Sequence, residues 1–136
     1  MKLIPFITIN LALFSASVFS NTIVSSCPNP NTIENINYTF SATNTSGSWI
    51  GVATQGNSGS ITSFREAVIY HAQPLKLNKC AYNLENGVVD LYLGENRDRE
   101  ISISNYRDSW LSFSSGWFTY FECRGAAEDC KFEFEN

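Results

Sequence analysis

Ser58 sits in the stretch "QGNSGS", Gln55 to Ser60, and a serine between glycines invites comparison with a catalytic nucleophile. Such a serine needs a histidine base, a carboxylate to orient that base, and backbone donors for the oxyanion. The chain has one histidine, His71, only a strand's length further on. The nucleophile elbow of α/β-hydrolases requires G-x-S-x-G, and "GNSGS" puts Ser60 where the second glycine belongs. The stretch therefore reads as a glycine-rich turn, and no catalytic residue is assigned.

Metal and carboxylate chemistry are equally unsupported. His71 alone cannot make a zinc site, and the four cysteines suit disulfides better. "GENRDRE", Gly94 to Glu100, alternates in charge sign without the ligand spacing of a calcium loop. Among 13 acidic side chains nothing singles out the pair that glycoside hydrolysis requires. No metal or cofactor is implied.

The aromatic residues suggest binding instead. Phe118 and Tyr120 alternate outward on a strand near the end of the chain, beside Glu133 and Glu135. Tyr92 points outward on another, and Trp110 and Trp117 flank the serine-rich "SFSSG". Phe118, Tyr120, Tyr92 and Trp110 are the candidate ligand or partner surface. The competing expectation is that a second sheet covers them, as a sandwich requires of one face of each sheet.

The elements that position these residues read as short strands. In "INYTFSA", Ile36, Tyr38 and Phe40 alternate onto one face, and "SGSWIGVA" follows as a second strand. "ITSFREAVIY" carries a capping-box-like Ser63 and Glu66, yet "AVIY" is rich in strand formers, which favours a strand. Asn86-Gly87 is the preferred pair for a two-residue type I′ turn. Centring a hairpin there pairs Leu84 with Val89, Tyr82 with Leu91 and Cys80 with Leu93, all on one face. A second hairpin, "WFTYFEC" and "CKFEFEN" around "RGAAED", would set Cys123 opposite Cys130, Phe121 opposite Phe132 and Glu122 opposite Lys131. The predicted fold is all-β, a small single-domain sandwich or barrel of short antiparallel strands with two disulfides.

Residues 1–20 read as a cleaved secretory signal: Lys2, an apolar run, then Val18 and Ser20 at signal-peptidase positions. "VSSC", Val24 to Cys27, loosely fits a lipoprotein box, but the polar Ser20 to Thr22 separates it from the apolar run. Lipidation of Cys27 would also leave three cysteines to pair. Residues 21–136 then form one β-rich domain of 116 residues with no transmembrane span. Of 9 basic side chains the signal removes Lys2 alone, so 8 face 13 acidic ones and the net charge is −5. No basic stripe exists to meet phosphates, which argues against nucleic acid. Export places four cysteines where disulfides form. Three pairings are possible, and the C-terminal register selects Cys123–Cys130, leaving Cys27–Cys80.

Several short motifs occur in succession: "CPNPNTI" after the signal, then "WIG", then "ITSFREA", then "CAY". In this order the chain resembles the small exported bacterial proteins of the domain-of-unknown-function family numbered 3757. The resemblance implies a Gram-negative source and a periplasmic or secreted destination. It brings no activity or catalytic residue. The expected function is an exported binding module for a protein or glycan, a secreted effector or virulence-associated factor being one version. The alternatives are a small hydrolase with paired carboxylates, or an inhibitor or immunity-type protein inserting "RGAAED" or "GENRDRE" into a target.

Overall fold

A computed structural model describes residues 3, 5, 21–70, 74–95 and 97–136. Positions 6–20 of the expected signal, and His71, lie outside the described residues. Among the described residues ten strands run in chain order: β1 (Thr22–Ser25), β2 (Glu34–Ile36), β3 (Thr39–Asn44), β4 (Gly47–Val52) and β5 (Ser58–Tyr70). They continue with β6 (Lys76–Asn86), β7 (Val88–Leu93), β8 (Leu111–Ser115), β9 (Phe118–Cys123) and β10 (Phe132–Glu135). Eight of them form one sheet in the order β2-β3-β4-β7-β6-β5-β9-β8, and β1 pairs with β10 in a second. Every pairing is antiparallel. The protein is nearly all β with two disulfides, in the layered form of a sandwich with very unequal sheets.

The large sheet has one dry face. Phe40, Trp49, Leu91, Tyr82, Ile69 and Phe121 contribute to the core from six different strands. The small sheet closes over them with Phe132 and Phe134, helped by Ile101, Ile103 and Trp110 from the long connection between β7 and β8. The "WIG" motif serves this packing. Trp49 is buried, and its indole N–H donates to Asn44 Oδ1 at 3.0 Å. A Cβ on Gly51 would stand 2.1 Å from the Asp90 carbonyl oxygen, so only glycine lets β4 approach β7 there.

The ambiguous segment at residues 61–70 is strand, as favoured above: it belongs to β5, the longest strand, bulged where its register to β6 shifts. Three local expectations need correction. First, Ile36, Tyr38 and Phe40 do not share a strand face, because Asn37 and Tyr38 form the turn between β2 and β3. Both have left-handed φ, 50° and 65°. Ile36 and Tyr38 are exposed while Phe40 is buried. Asparagine tolerates this conformation, but a β-carbon such as tyrosine's costs roughly 1–2 kcal/mol in it.

Second, the β6–β7 hairpin pairs Tyr82 with Val89 and Cys80 with Leu91, two residues away from the expected register. Leu84 N–H donates to the Gly87 carbonyl, so Glu85 and Asn86 form the loop and Gly87 takes the positive φ. The cause lies outside the hairpin. Asn57 accepts the Val88 N–H through Oδ1 at 2.9 Å, and Asn86 pairs with Ser58 of β5. A shift of two preserves the faces, so Tyr82, Leu84, Val89 and Leu91 remain buried.

Third, β9 and β10 do not form a hairpin. Strand β9 lies between β5 and β8, so both of its hydrogen-bonding edges are occupied. Strand β10 pairs instead with β1, Phe134 opposite Ile23 and Phe132 opposite Ser25. Phe121 therefore does not face Phe132 across a ladder, and Glu122 turns to Arg124 instead of Lys131. The cysteines close as Cys27–Cys80 and Cys123–Cys130, with Cα separations of 5.9 and 5.6 Å. The second bridge spans a 3-10 turn at Ala127–Asp129.

Candidate binding surface

Among the described residues no sheet covers the face of the large sheet opposite the core. At the β8–β9 end its residues come into register: Tyr70 opposite Tyr120, Phe113 opposite Tyr120, and Phe118 at the hairpin's closing pair. Phe113 and Tyr120 stack with centroids 5.4 Å apart and planes at 17°. Phe118 completes the array, 6.2 Å from both Tyr70 and Tyr120. Phe118 is 53 % exposed, Leu111 is exposed on the edge strand, and Trp117 in the hairpin loop is fully exposed. Large apolar groups gathered this closely on a water-facing surface are unusual for an isolated domain.

Two of the four residues expected on a binding surface are thus together, Phe118 and Tyr120. Tyr92 is not with them. It lies on β7, opposite Ile50 of β4, with the Arg97 guanidinium 5.7 Å from its ring. Trp110 is a correction: it is 4 % exposed and belongs to the core, where its indole N–H donates to the Lys131 carbonyl at 2.9 Å. An amphipathic ring that finds a hydrogen-bond partner inside need not face water. Tyr70 and Phe113 were missed. Tyr70 joins the array only through β5–β9 pairing, which links residues about fifty positions apart and leaves no local pattern.

Charges border the array on β5 and β9. Glu122 Oε2 lies 2.7 Å from Arg124 Nη2, an ion-pair contact without hydrogen-bond alignment. Arg124 Nε is also 3.4 Å from Glu66 Oε2, and Arg65 approaches the other oxygen of Glu66. These two carboxylates are therefore engaged by arginines. Among the described residues no group of three or more His, Cys, Asp and Glu side chains is placed to hold a metal ion.

The glycine-serine stretch forms the β4–β5 connection. Ser58 begins β5, and its hydroxyl accepts from the Asn86 carboxamide at 3.4 Å. Asn57 braces the loop, donating to the Thr54 carbonyl and hydroxyl. An open cavity of about 520 Å³ lies here, bordered by Tyr38, Gln55, Asn57, Ser58 and Asn86.

The family model described as "Protein of unknown function (DUF3757)" matches residues 21–133. No curated protein and no solved structure matches the chain. No helix among the described residues is long and apolar enough to cross a membrane.

Proposed function

We propose that this chain, which belongs to the DUF3757 family, is an exported binding module that engages a protein partner outside the cytoplasm. One observation carries the reading: in the aromatic array Tyr70 and Phe118 are exposed beside the half-buried Phe113 and Tyr120, with the exposed Trp117 next to them. Aromatic side chains anchor protein interfaces because each offers a large contact area at low conformational entropy cost. The edge strand beside the array favours protein over glycan. Strand β8, "LSFSS", carries no charge and no proline, the usual guards against strand addition. A partner strand added to β8 would carry its alternate side chains onto the array.

Export fits the composition. Two disulfides persist in an oxidising compartment, and residues 1–20 have the features of a cleaved signal. The domain then comprises residues 21–136, and a secreted effector is the version of this role in which the partner belongs to a host.

The test replaces Trp117 and Phe118 by serine together. Both side chains are exposed, so the melting temperature should stay within a few degrees of the parent's. Partners captured from bacterial or host lysate by the parent should be lost. Capture of the same proteins by both forms would overturn the reading.

A further inference from the structure

The Asn37–Tyr38 turn and the Thr54–Ser58 loop meet at the start of β5, the opposite end of that strand from Tyr70 of the aromatic array. There a tyrosine occupies a position at which the backbone favours glycine. Both residues of the turn have positive φ, as a type I′ turn requires, and the preferred second residue of that turn is glycine. Tyr38 stands there instead, with φ 65° and 59 % of its surface exposed. It is not among the side chains that form the core or pack against it. Its carbonyl accepts the Ala53 N–H at 2.9 Å, which fixes the turn against the start of the β4–β5 loop. Strain retained at an exposed side chain points to a use for that side chain.

Its surroundings define the use. The ring borders a cavity of about 520 Å³ whose other walls include Thr54, Gln55, Asn57, Ser58 and Asn86. That volume is within the range of small-ligand sites. Among the described residues no charged side chain lines it, and the walls offer carboxamides and hydroxyls, which both donate and accept. Asn57 is already committed, through Val88 and Thr54, and acts as a strut. Among the described residues nothing bonds the Tyr38 hydroxyl or the Gln55 carboxamide, so both are available to a ligand.

We infer that this cavity binds a neutral saccharide, stacked on the Tyr38 ring and hydrogen-bonded by Gln55. An anionic ligand would find no counter-charge in the cavity and a net negative protein around it. A wholly apolar ligand would strand the carboxamides. A sugar ring presents a C–H face to an aromatic ring and hydroxyls to its rim, which is the combination available here. The site is independent of the partner surface at β8–β9.

The experiment titrates the exported protein with cellobiose, maltose and N,N′-diacetylchitobiose, each up to about 10 mM, the range of weak single-ring recognition. At least one should bind and shift the Gln55 side-chain amide resonances. Tyr38→Gly should weaken that binding tenfold or more while the melting temperature stays or rises, because glycine relaxes the turn. Gln55→Ala, on an exposed loop, should weaken it also and keeps the test valid if Tyr38→Gly folds poorly. Failure of all three sugars to bind would overturn the proposal. So would binding that survives both variants, or that is lost only in the Trp117→Ser, Phe118→Ser protein, which would move the sugar to the other surface.

Discussion

The two disulfides use the same chemistry with very different leverage. Cys27–Cys80 joins residues 53 positions apart and pins the irregular segment after β1 to the middle of the large sheet. Cys123–Cys130 joins residues 7 apart and closes a 3-10 turn beyond β9. The first is reinforced: Tyr82, two residues from Cys80, donates its buried hydroxyl to the Pro28 carbonyl at 2.5 Å, next to Cys27. The second has weaker local support, the Cys130 sulfur lying 3.6 Å from the Ala126 carbonyl oxygen. A cross-link matters by how much unfolded chain it restrains and by what else it holds in place.

Removing the long bridge tests this most strongly. Replacing Cys27 and Cys80 together by serine should cost about 4 kcal/mol from loop entropy, before packing losses. Urea denaturation at neutral pH measures it. The same replacement at Cys123 and Cys130 should cost about 2.5 kcal/mol. Equal losses would mean that the short bridge carries packing which its loop length does not reveal. Non-reducing peptide mapping checks the connectivity, and a peptide joining Cys80 to Cys123 would break the comparison altogether.

Tyr82→Phe sharpens it. The hydroxyl is lost and the Pro28 carbonyl is left without its donor, so the cost should be about 1–2 kcal/mol. Burial also holds the Tyr82 phenol well above the ordinary tyrosine range. Its proton leaves the unfolded chain at about pH 10 but stays on the folded one to higher pH. The unfolded state then binds fewer protons, so stability is intact below about pH 10 and falls as pH rises beyond it. Tyr82→Phe should flatten that alkaline decline, measured as melting temperature between neutral pH and the alkaline limit. An unchanged decline would assign it to other groups.

The smallest effect belongs to the outer face. Lys79 and Asp90 form a 3.1 Å ion pair on neighbouring strands β6 and β7, with both side chains partly in water. Lys79→Ala should cost under about 1 kcal/mol, and less in high salt. A loss comparable with that of Tyr82→Phe would show that the outer face contributes more to the fold than its exposure implies.

Local sequence carried the strand content and the inward faces well. Alternation around Tyr82, Leu84, Val89 and Leu91 marks the dry side whether or not the register is known, because a shift of two returns each side chain to the same face. The bridge between Cys123 and Cys130 forms without a β9–β10 hairpin, since residues so close in sequence meet around a turn as readily as across a ladder. Trp110 could not be placed from its neighbours. Its burial depends on a carbonyl 21 positions away.

What the sequence by itself determined is the all-β character, the two-faced pattern of its strands and the pool of cysteines from which the bridges are drawn. These follow from period-two hydrophobicity, turn residues and composition, which act within a few positions. Only the tertiary structure decided which strand lies beside which. Each strand has two edges, and filling both sides of β9 with β5 and β8 sent β10 to β1. The same competition brought Tyr70 to Phe118 and Asn57 to Val88. Backbone hydrogen-bonding groups are alike in every strand, so their pairing is settled by how the whole sheet closes over its core.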